Sequence, residues 1–147
     1  MRTELRIQIV RRLAEHESRF TPARRLVAEA LAEGNGPSSA ADLHESLGES
    51  VPLSSLYRTL TVLDESGIVQ RTHDGDGVAR YELAEWLAGH HHHLVCASCG
   101  EVADVAVDPR LEEVVEEAIA TAAGKTGFLV TGHRVDLEGL CRSCRPR

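Results

Sequence analysis

The first half of the chain carries apolar residues at helical spacing, interrupted by short segments rich in glycine and proline. Residues 5–16 place their leucine, isoleucine and valine side chains on one face, which predicts a first helix. A second helix is predicted from Thr21 to Leu31, because threonine is a good N-cap and the proline after it suits the first helical position. Residues 34–37 contain two glycines and a proline and end this helix.

Two further short helices are predicted before the middle of the chain. Ser39 is a suitable N-cap for the third helix, which ends at Gly48. Leucines at helical spacing after Pro52 predict the fourth helix, which Gly67 ends.

Two strand-like runs follow, at residues 68–72 and 78–83. They flank residues 73–77, whose Asp-Gly pairs are a strong hairpin signal. Helices followed by a hairpin form the layout of a winged helix-turn-helix, whose second motif helix lies in the major groove of DNA.

The second half has a different pattern, typical of a small α/β unit. Strands are predicted at residues 91–96, 102–107 and 128–137, and a helix at residues 108–123 begins at an Asp-Pro pair. That helix has one apolar stripe: Leu111, Val114, Val115, Ala118, Ile119 and Ala122. The unit is too small to bury much surface alone, which predicts pairing with a second copy.

The predicted fold class is therefore α+β. Residues 1–84 form a winged-helix DNA-binding domain, residues 85–89 a hinge, and residues 90–147 an α/β dimerisation and metal-binding domain. No apolar run reaches the length of a membrane span and the N-terminus lacks the pattern of a signal peptide, so we expect a cytoplasmic protein without a membrane partner.

The charge is unevenly distributed. The 147 residues carry a net charge of −7, yet residues 1–25 hold seven arginines against three glutamates. Residues 85–147 hold six basic and ten acidic residues. This asymmetry favours contact of the first end with a polyanion, although a solvated arginine-rich helix face would also produce it.

Four cysteines form two CxxC pairs, Cys96 with Cys99 and Cys141 with Cys144. Two such pairs can enclose one Zn²⁺ in tetrahedral S₄ geometry, a closed structural site. Unrelated thiols or two disulfides are the alternatives, and we expect zinc.

Four consecutive histidines, residues 90–93, run directly into the predicted strand that leads to Cys96. Because side chains alternate faces in an extended chain, His90 and His92 point one way and His91 and His93 the other. The run can thus begin two separate metal sites, while an exposed polar run is the alternative.

The chain resembles the ferric uptake regulator superfamily over nearly its whole length. The matching motifs are Arg19–Arg24, Ser55–Leu60, Tyr81–Leu83, His90–Gly100, Gly127-Phe128 with His133, and Cys141-x-x-Cys144. The resemblance implies a homodimeric, metal-dependent repressor that binds an inverted-repeat operator in double-stranded DNA.

The resemblance also assigns ligands to one face of the histidine run. It implies a second metal site of His90, His92, Glu116 and His133. Glu116 is chosen over its neighbours because its 17-residue step to His133 matches the family spacing.

The other face is implied to form a regulatory site at the hinge, with His91 and His93 joined by Glu82 and Asp104. Iron and peroxide sensors of the family add a histidine from the loop between helices two and three, and residues 36–39 contain none. His73 in the wing turn is the expected substitute.

We therefore expect the sensed metal to be Zn²⁺, bound by His73, Glu82, His91 and His93. The alternative is an iron- or manganese-dependent or peroxide-sensing repressor in which Asp104 is a further ligand, and Ni²⁺ is also compatible with such donors. Bound metal would fix the angle between the domains and so select the DNA-binding form.

Candidate DNA contacts lie in the first half of the chain. Phosphate contacts are expected from Arg11, Arg12, Arg19 and Arg24, and base or sugar contacts from Ser55, Tyr57 and Arg58. No enzyme is predicted, because a Cys₄ site is closed and no nucleophile motif or phosphate loop accompanies the histidines. A zinc-dependent hydrolase or a zinc-storage protein is the distant alternative.

Overall fold

The computed structural model describes most of the chain. The described residues are 3–74, 76–105, 107–133 and 135–146. They form two compact units, Met1–His90 and His91–Arg147. Among the described residues, no helix combines the length and the apolar character needed to cross a membrane.

The first unit has the winged helix-turn-helix architecture that the sequence predicts. Its elements are α1 (Thr3–Glu15), α2 (Pro22–Glu33), β1 (Ser38–Ser39), α3 (Ala40–Leu47), a 3₁₀ turn (Gly48–Ser50), α4 (Leu53–Glu65), β2 (Val69–His73), β3 (Ala79–Leu83) and α5 (Glu85–Ala88). The three strands form an antiparallel sheet in the order β1-β3-β2. Residues 85–88 of the predicted hinge are helical, since they form α5.

Two helix starts follow the capping chemistry expected from the sequence. The Thr21 side chain accepts a hydrogen bond from the backbone of Arg24 at the start of α2. Ser39 and Asp42 form a reciprocal capping box at the start of α3, with backbone N–H groups donating to the side chains at 2.9 and 3.1 Å. These caps fix where both helices begin.

The core of the first unit orients α4. Leu56, Leu60 and Leu63 on its inner face are buried against the other helices and the sheet. Tyr57 and Arg58 on the opposite face are exposed. An amphipathic helix held in this way presents its polar side chains to solvent at the position of a recognition helix.

The wing turn is held by Asp74, which follows β2. Its carboxylate accepts hydrogen bonds from the backbone of Asp76 and Val78 and from Arg80 Nε at 2.9 Å. The Val78 N–H, with smaller contributions from Arg80 and Asp76, holds the pKa of Asp74 below its usual value. Gly75, part of the predicted hairpin turn, lies outside the described residues.

The second unit is a small α/β layer. It contains β4 (His92–Cys96), β5 (Val102–Val105), α6 (Pro109–Thr126) and β6 (Asp136–Gly139), with sheet order β5-β4-β6. Strand β4 is central, antiparallel to β5 and parallel to β6. Asp108 caps α6, as predicted, and Gly127 with φ of 72° ends it three residues beyond the predicted end.

The last strand differs from its prediction. Residues 128–133 are not a strand, and β6 is only Asp136–Gly139. Phe128 and Leu129 are 76% and 90% exposed. The apolar residues that predicted a buried strand here are therefore not part of the core of this chain. The predicted strand 102–107 ends at Val105, and Ala106 lies outside the described residues.

The core of the first unit leads to a stability prediction. Leu60→Ala should lower the free energy of unfolding of this unit by about 2–5 kcal/mol, because Leu60 is 1% exposed and its removal leaves a cavity. The control is Leu53→Ala on the same helix, at 47% exposure, with an expected change within about 0.5 kcal/mol. Urea denaturation of the full chain, followed by the fluorescence of Trp86, reports on this unit. Equal losses in both variants would contradict the packing described here.

Candidate metal centres

The four cysteines come together at one end of the second unit. Cys96 ends β4, and its Sγ, with those of Cys99, Cys141 and Cys144, forms a group whose atoms lie within 4.8 Å of one another. The Cys99 and Cys141 sulfurs are 3.8 Å apart, and none of the four cysteines forms a disulfide. Tetrahedral ZnS₄ with Zn–S bonds near 2.3 Å needs a sulfur–sulfur distance of about 3.8 Å. The donor set therefore fits a closed tetrahedral metal site.

Backbone groups prepare one of these thiols for a metal. The N–H groups of Cys141, Cys99 and Ser98 point at Cys96 Sγ and lower the pKa of this thiol to about 6, with Cys141 the largest cause. The Cys141 N–H lies 3.3 Å from that sulfur. Because the thiolate is the form that binds metal, Cys96 is a ready ligand at neutral pH.

A second group lies against α6. Glu112 places one carboxylate oxygen 2.8 Å from His92 Nε2 and the other 2.7 Å from His133 Nε2. His92 is 3% exposed, and the three side chains are mutually close enough to share one ion. Two imidazoles and a carboxylate are ligands that Zn²⁺ and other first-row divalent metals accept.

The structure replaces Glu116 by Glu112 in this group. Glu112 lies four residues before Glu116, about one helical turn nearer the start of α6, and only Glu112 is partly buried. Glu116, which the 17-residue spacing favoured, is exposed and is not part of this group. Helical periodicity allows either residue, so the sequence alone does not choose between them.

His90 is the last residue of the first unit. Its Nδ1 lies 3.3 Å from the Glu85 carboxylate of α5, and both side chains are partly exposed. It precedes His92 by two residues, and its place in the second metal site stays a prediction.

The third group lies on the other face of β4. His91, His93 and Asp104 bring their ligand atoms within 4.8 Å of one another, and the rings of the two histidines meet edge to face at 5.1 Å. His93 Nε2 is 3.9 Å from Asp104. Two imidazoles with one carboxylate can hold a divalent ion and leave positions for further ligands.

An unpredicted carboxylate also contacts this group. Asp136 of β6 lies 3.2 Å from His93 Nδ1. Asp136 is opposite His93 in the parallel pairing of β4 with β6. The sequence carries no signal for this contact, because local patterns do not specify which residue of β6 pairs with which residue of β4.

The two expected regulatory ligands in the first unit are Glu82 and His73. Glu82 is buried on β3, with 7% exposure, which suits a ligand more than a surface charge. His73 ends β2, opposite Ala79, and is exposed. Within the described residues of the first unit, no group of three metal-binding side chains includes His73, and its role as a ligand stays a prediction.

The candidate DNA-contacting arginines differ in the solvent exposure and in the hydrogen-bond partners of their side chains. Arg11 has 83% side-chain exposure with a weak ion pair to Glu15. Arg12 donates from Nε to the Ser66 carbonyl at 2.9 Å and pairs with Glu15. Arg24 donates to the Arg19 carbonyl. Arg11 is thus more accessible than Arg12, whose guanidinium is held by Ser66 and Glu15.

The ferric uptake regulator family matches residues 3–138 of the chain. The ferric uptake regulation protein of Bacillus subtilis is 36% identical over 142 residues, 93% of this chain and 92% of that protein. The peroxide operon regulator of the same organism is 32% identical, covering 90% of this chain and 88% of its own length.

A solved structure gives the same result for the fold. The ferric uptake regulator of Vibrio cholerae superposes with a TM-score of 0.69 at 32% identity. The match covers 88% of this chain and 96% of that one, and the report on that structure describes rearrangement of its DNA-binding domains.

The cysteine group leads to a metal-content prediction. Cys141→Ser should remove tightly bound zinc from purified protein and destabilise the second unit, because one sulfur of four is lost. Ser143→Ala, inside the same CxxC pair, is the matched control and should keep its zinc. Elemental analysis and thermal unfolding measure both effects. Unchanged zinc and stability in Cys141→Ser would exclude the tetrahedral site.

Proposed function

This chain belongs to the ferric uptake regulator family, and we propose that it is a homodimeric repressor whose binding to operator DNA depends on metal. Family membership makes it a metal-responsive transcriptional regulator and not an enzyme. The observation that carries the proposal is the joint presence of a helix α4 with an exposed polar face in a winged unit and of donor groups on both faces of β4.

The cysteine site is proposed to hold Zn²⁺ with a structural role. All four ligands come from the second unit, and a closed S₄ site leaves no position for a substrate. When bound, zinc would tie the end of the chain to the end of β4. Its role is to stabilise the fold of a unit that has few buried side chains.

The regulatory site is proposed to consist of His91, His93 and Asp104 from the second unit with Glu82 from the first. An ion held by ligands of both units restricts their relative movement. If only one arrangement lets two recognition helices reach two half-sites, metal increases the fraction of DNA-binding protein. His90, His92, Glu112 and His133 are proposed as a further metal site that stabilises the second unit.

Two hypotheses compete for the metal of the regulatory site. The placement of Asp104 beside His91 and His93 favours the iron or manganese alternative, because with Glu82 the proposed site has two histidines and two carboxylates, a mixed N and O donor set that suits Fe²⁺ and Mn²⁺. The zinc hypothesis rests on His73 as the fourth ligand. We therefore propose Fe²⁺ or Mn²⁺ as the sensed metal and keep Zn²⁺ as the second candidate, with Ni²⁺ a minor one.

The homodimer is proposed from the outer surface of the second unit. Helix α6 buries none of its residues within the chain, and Leu111 and Val114 are 53% and 61% exposed. Exposed apolar surface of this kind marks a protein interface. A two-fold dimer would present two α4 helices to an inverted-repeat operator.

The DNA-binding part of the proposal is tested at Arg58. Arg58→Ala should weaken specific binding by roughly 1–3 kcal/mol if the guanidinium contacts a base. Arg110→Ala in the second unit removes the same charge and is the control, with a much smaller effect expected. Fluorescence anisotropy with metal-loaded protein and an operator selected from random DNA measures both. A selection that yields no preferred sequence would refute the repressor proposal.

The metal assignment is tested by two substitutions. Under the iron or manganese proposal, Asp104→Ala should abolish metal-dependent DNA binding while His73→Ala has a smaller effect, because Asp104 is a ligand and His73 is not. The zinc hypothesis expects the reverse order. The measurement is operator binding across Zn²⁺, Mn²⁺ and Fe²⁺. Peroxide treatment of the Fe²⁺ form, followed by mass spectrometry, shows whether His91 or His93 gains oxygen mass, as expected of a peroxide sensor.

A further inference from the structure

His93 occupies a special position in the sheet of the second unit. It lies on the central strand β4, opposite Asp104 on β5 and opposite Asp136 on β6. Residues in register on neighbouring strands project to the same face of a sheet. One imidazole is thus flanked by a carboxylate on each side, and its side chain is only 10% exposed.

The two carboxylates meet different nitrogens of this ring. Asp104 lies 3.9 Å from Nε2, and Asp136 lies 3.2 Å from Nδ1. The lone pairs of the two ring nitrogens diverge, so an ion bound at Nε2 lies away from Asp136. In keeping with this geometry, Asp104 belongs to the group of neighbouring ligand atoms and Asp136 does not.

We infer that Asp136 is a positioning residue for the proposed regulatory metal site. Its carboxylate accepts a hydrogen bond from His93 Nδ1–H, which leaves the lone pair on Nε2 directed toward Asp104 and the metal. A carboxylate in this role fixes the tautomer and the ring orientation of a metal-binding histidine. The inference rests on the proposed function, because it assigns a supporting residue to that site.

A surface ion pair is the simpler explanation, since the Asp136 side chain is 56% exposed. Exposed ion pairs contribute little to stability. The inferred role does not depend on stability, because it acts on which nitrogen of a nearly buried ring carries the proton. It therefore predicts an effect on tautomer and metal affinity that a surface ion pair would not have.

The test compares Asp136→Ala and Asp136→Asn with Glu138→Ala. Asparagine keeps an acceptor at the same place without the charge, and Glu138 is an exposed acid two residues along β6. All proteins keep the cysteine site loaded with zinc and carry His133→Ala, so that added Co²⁺ reports mainly on the regulatory site. Long-range ¹H–¹⁵N NMR without cobalt gives the His93 tautomer, and absorbance during Co²⁺ titration gives the affinity.

We expect Asp136→Ala to lose the Nδ1–H tautomer preference and to weaken Co²⁺ binding by about 10–100-fold, as for other residues that support metal ligands. Asp136→Asn should lose less, and Glu138→Ala should match the parent protein. If Asp136→Ala keeps the tautomer and the affinity of Glu138→Ala, the inference is wrong while the regulatory site stands. A parent protein that binds no Co²⁺ through His91 and His93 overturns both.

Discussion

Side chains alternate between the two faces of a β-strand, and this constraint on β4 organises the second unit. His92 on one face meets Glu112 and His133, whereas His93 on the other meets Asp104 and Asp136. Cys96, at the end of the same strand, joins the cysteine group. A strand of five residues thus serves three groups of donor atoms, so a shift of one residue in its register would disrupt all three.

The strands on either side of β4 contribute the carboxylates that contact His93. Because β5 and β6 flank β4, Asp104 and Asp136 are both placed opposite His93 by strand register rather than by distance along the chain. The proposed control of DNA binding depends on this face of the sheet, because the proposed regulatory site includes His93.

Much of the fold could be predicted from the sequence, because caps and helical spacing are local. Ser39, Thr21 and Asp108 act as the N-caps that their neighbours indicated. The cysteine group could be found because CxxC spacing encodes its own geometry. The choice of Glu112 over Glu116 could not, since the two residues lie one turn apart on the same side of a helix.

The strand predicted at residues 128–137 failed for a related reason. Apolar residues there are exposed, and in the proposed homodimer they would pack against the partner copy instead of the core of their own chain. The contact of Asp136 with His93 depends on the register of a parallel strand pair, which has no signature in local sequence.

The central claim is that metal binding and DNA binding are coupled, and thermodynamic reciprocity tests it most directly. The factor by which Mn²⁺ raises operator affinity must equal the factor by which operator raises Mn²⁺ affinity. Both can be measured on the zinc-loaded protein, by anisotropy for DNA and by electron paramagnetic resonance for free Mn²⁺. The account predicts equal factors of about 5–150-fold that fall to one in Asp104→Ala. A factor of one in the unaltered protein, with operator bound equally well with and without metal, would contradict it.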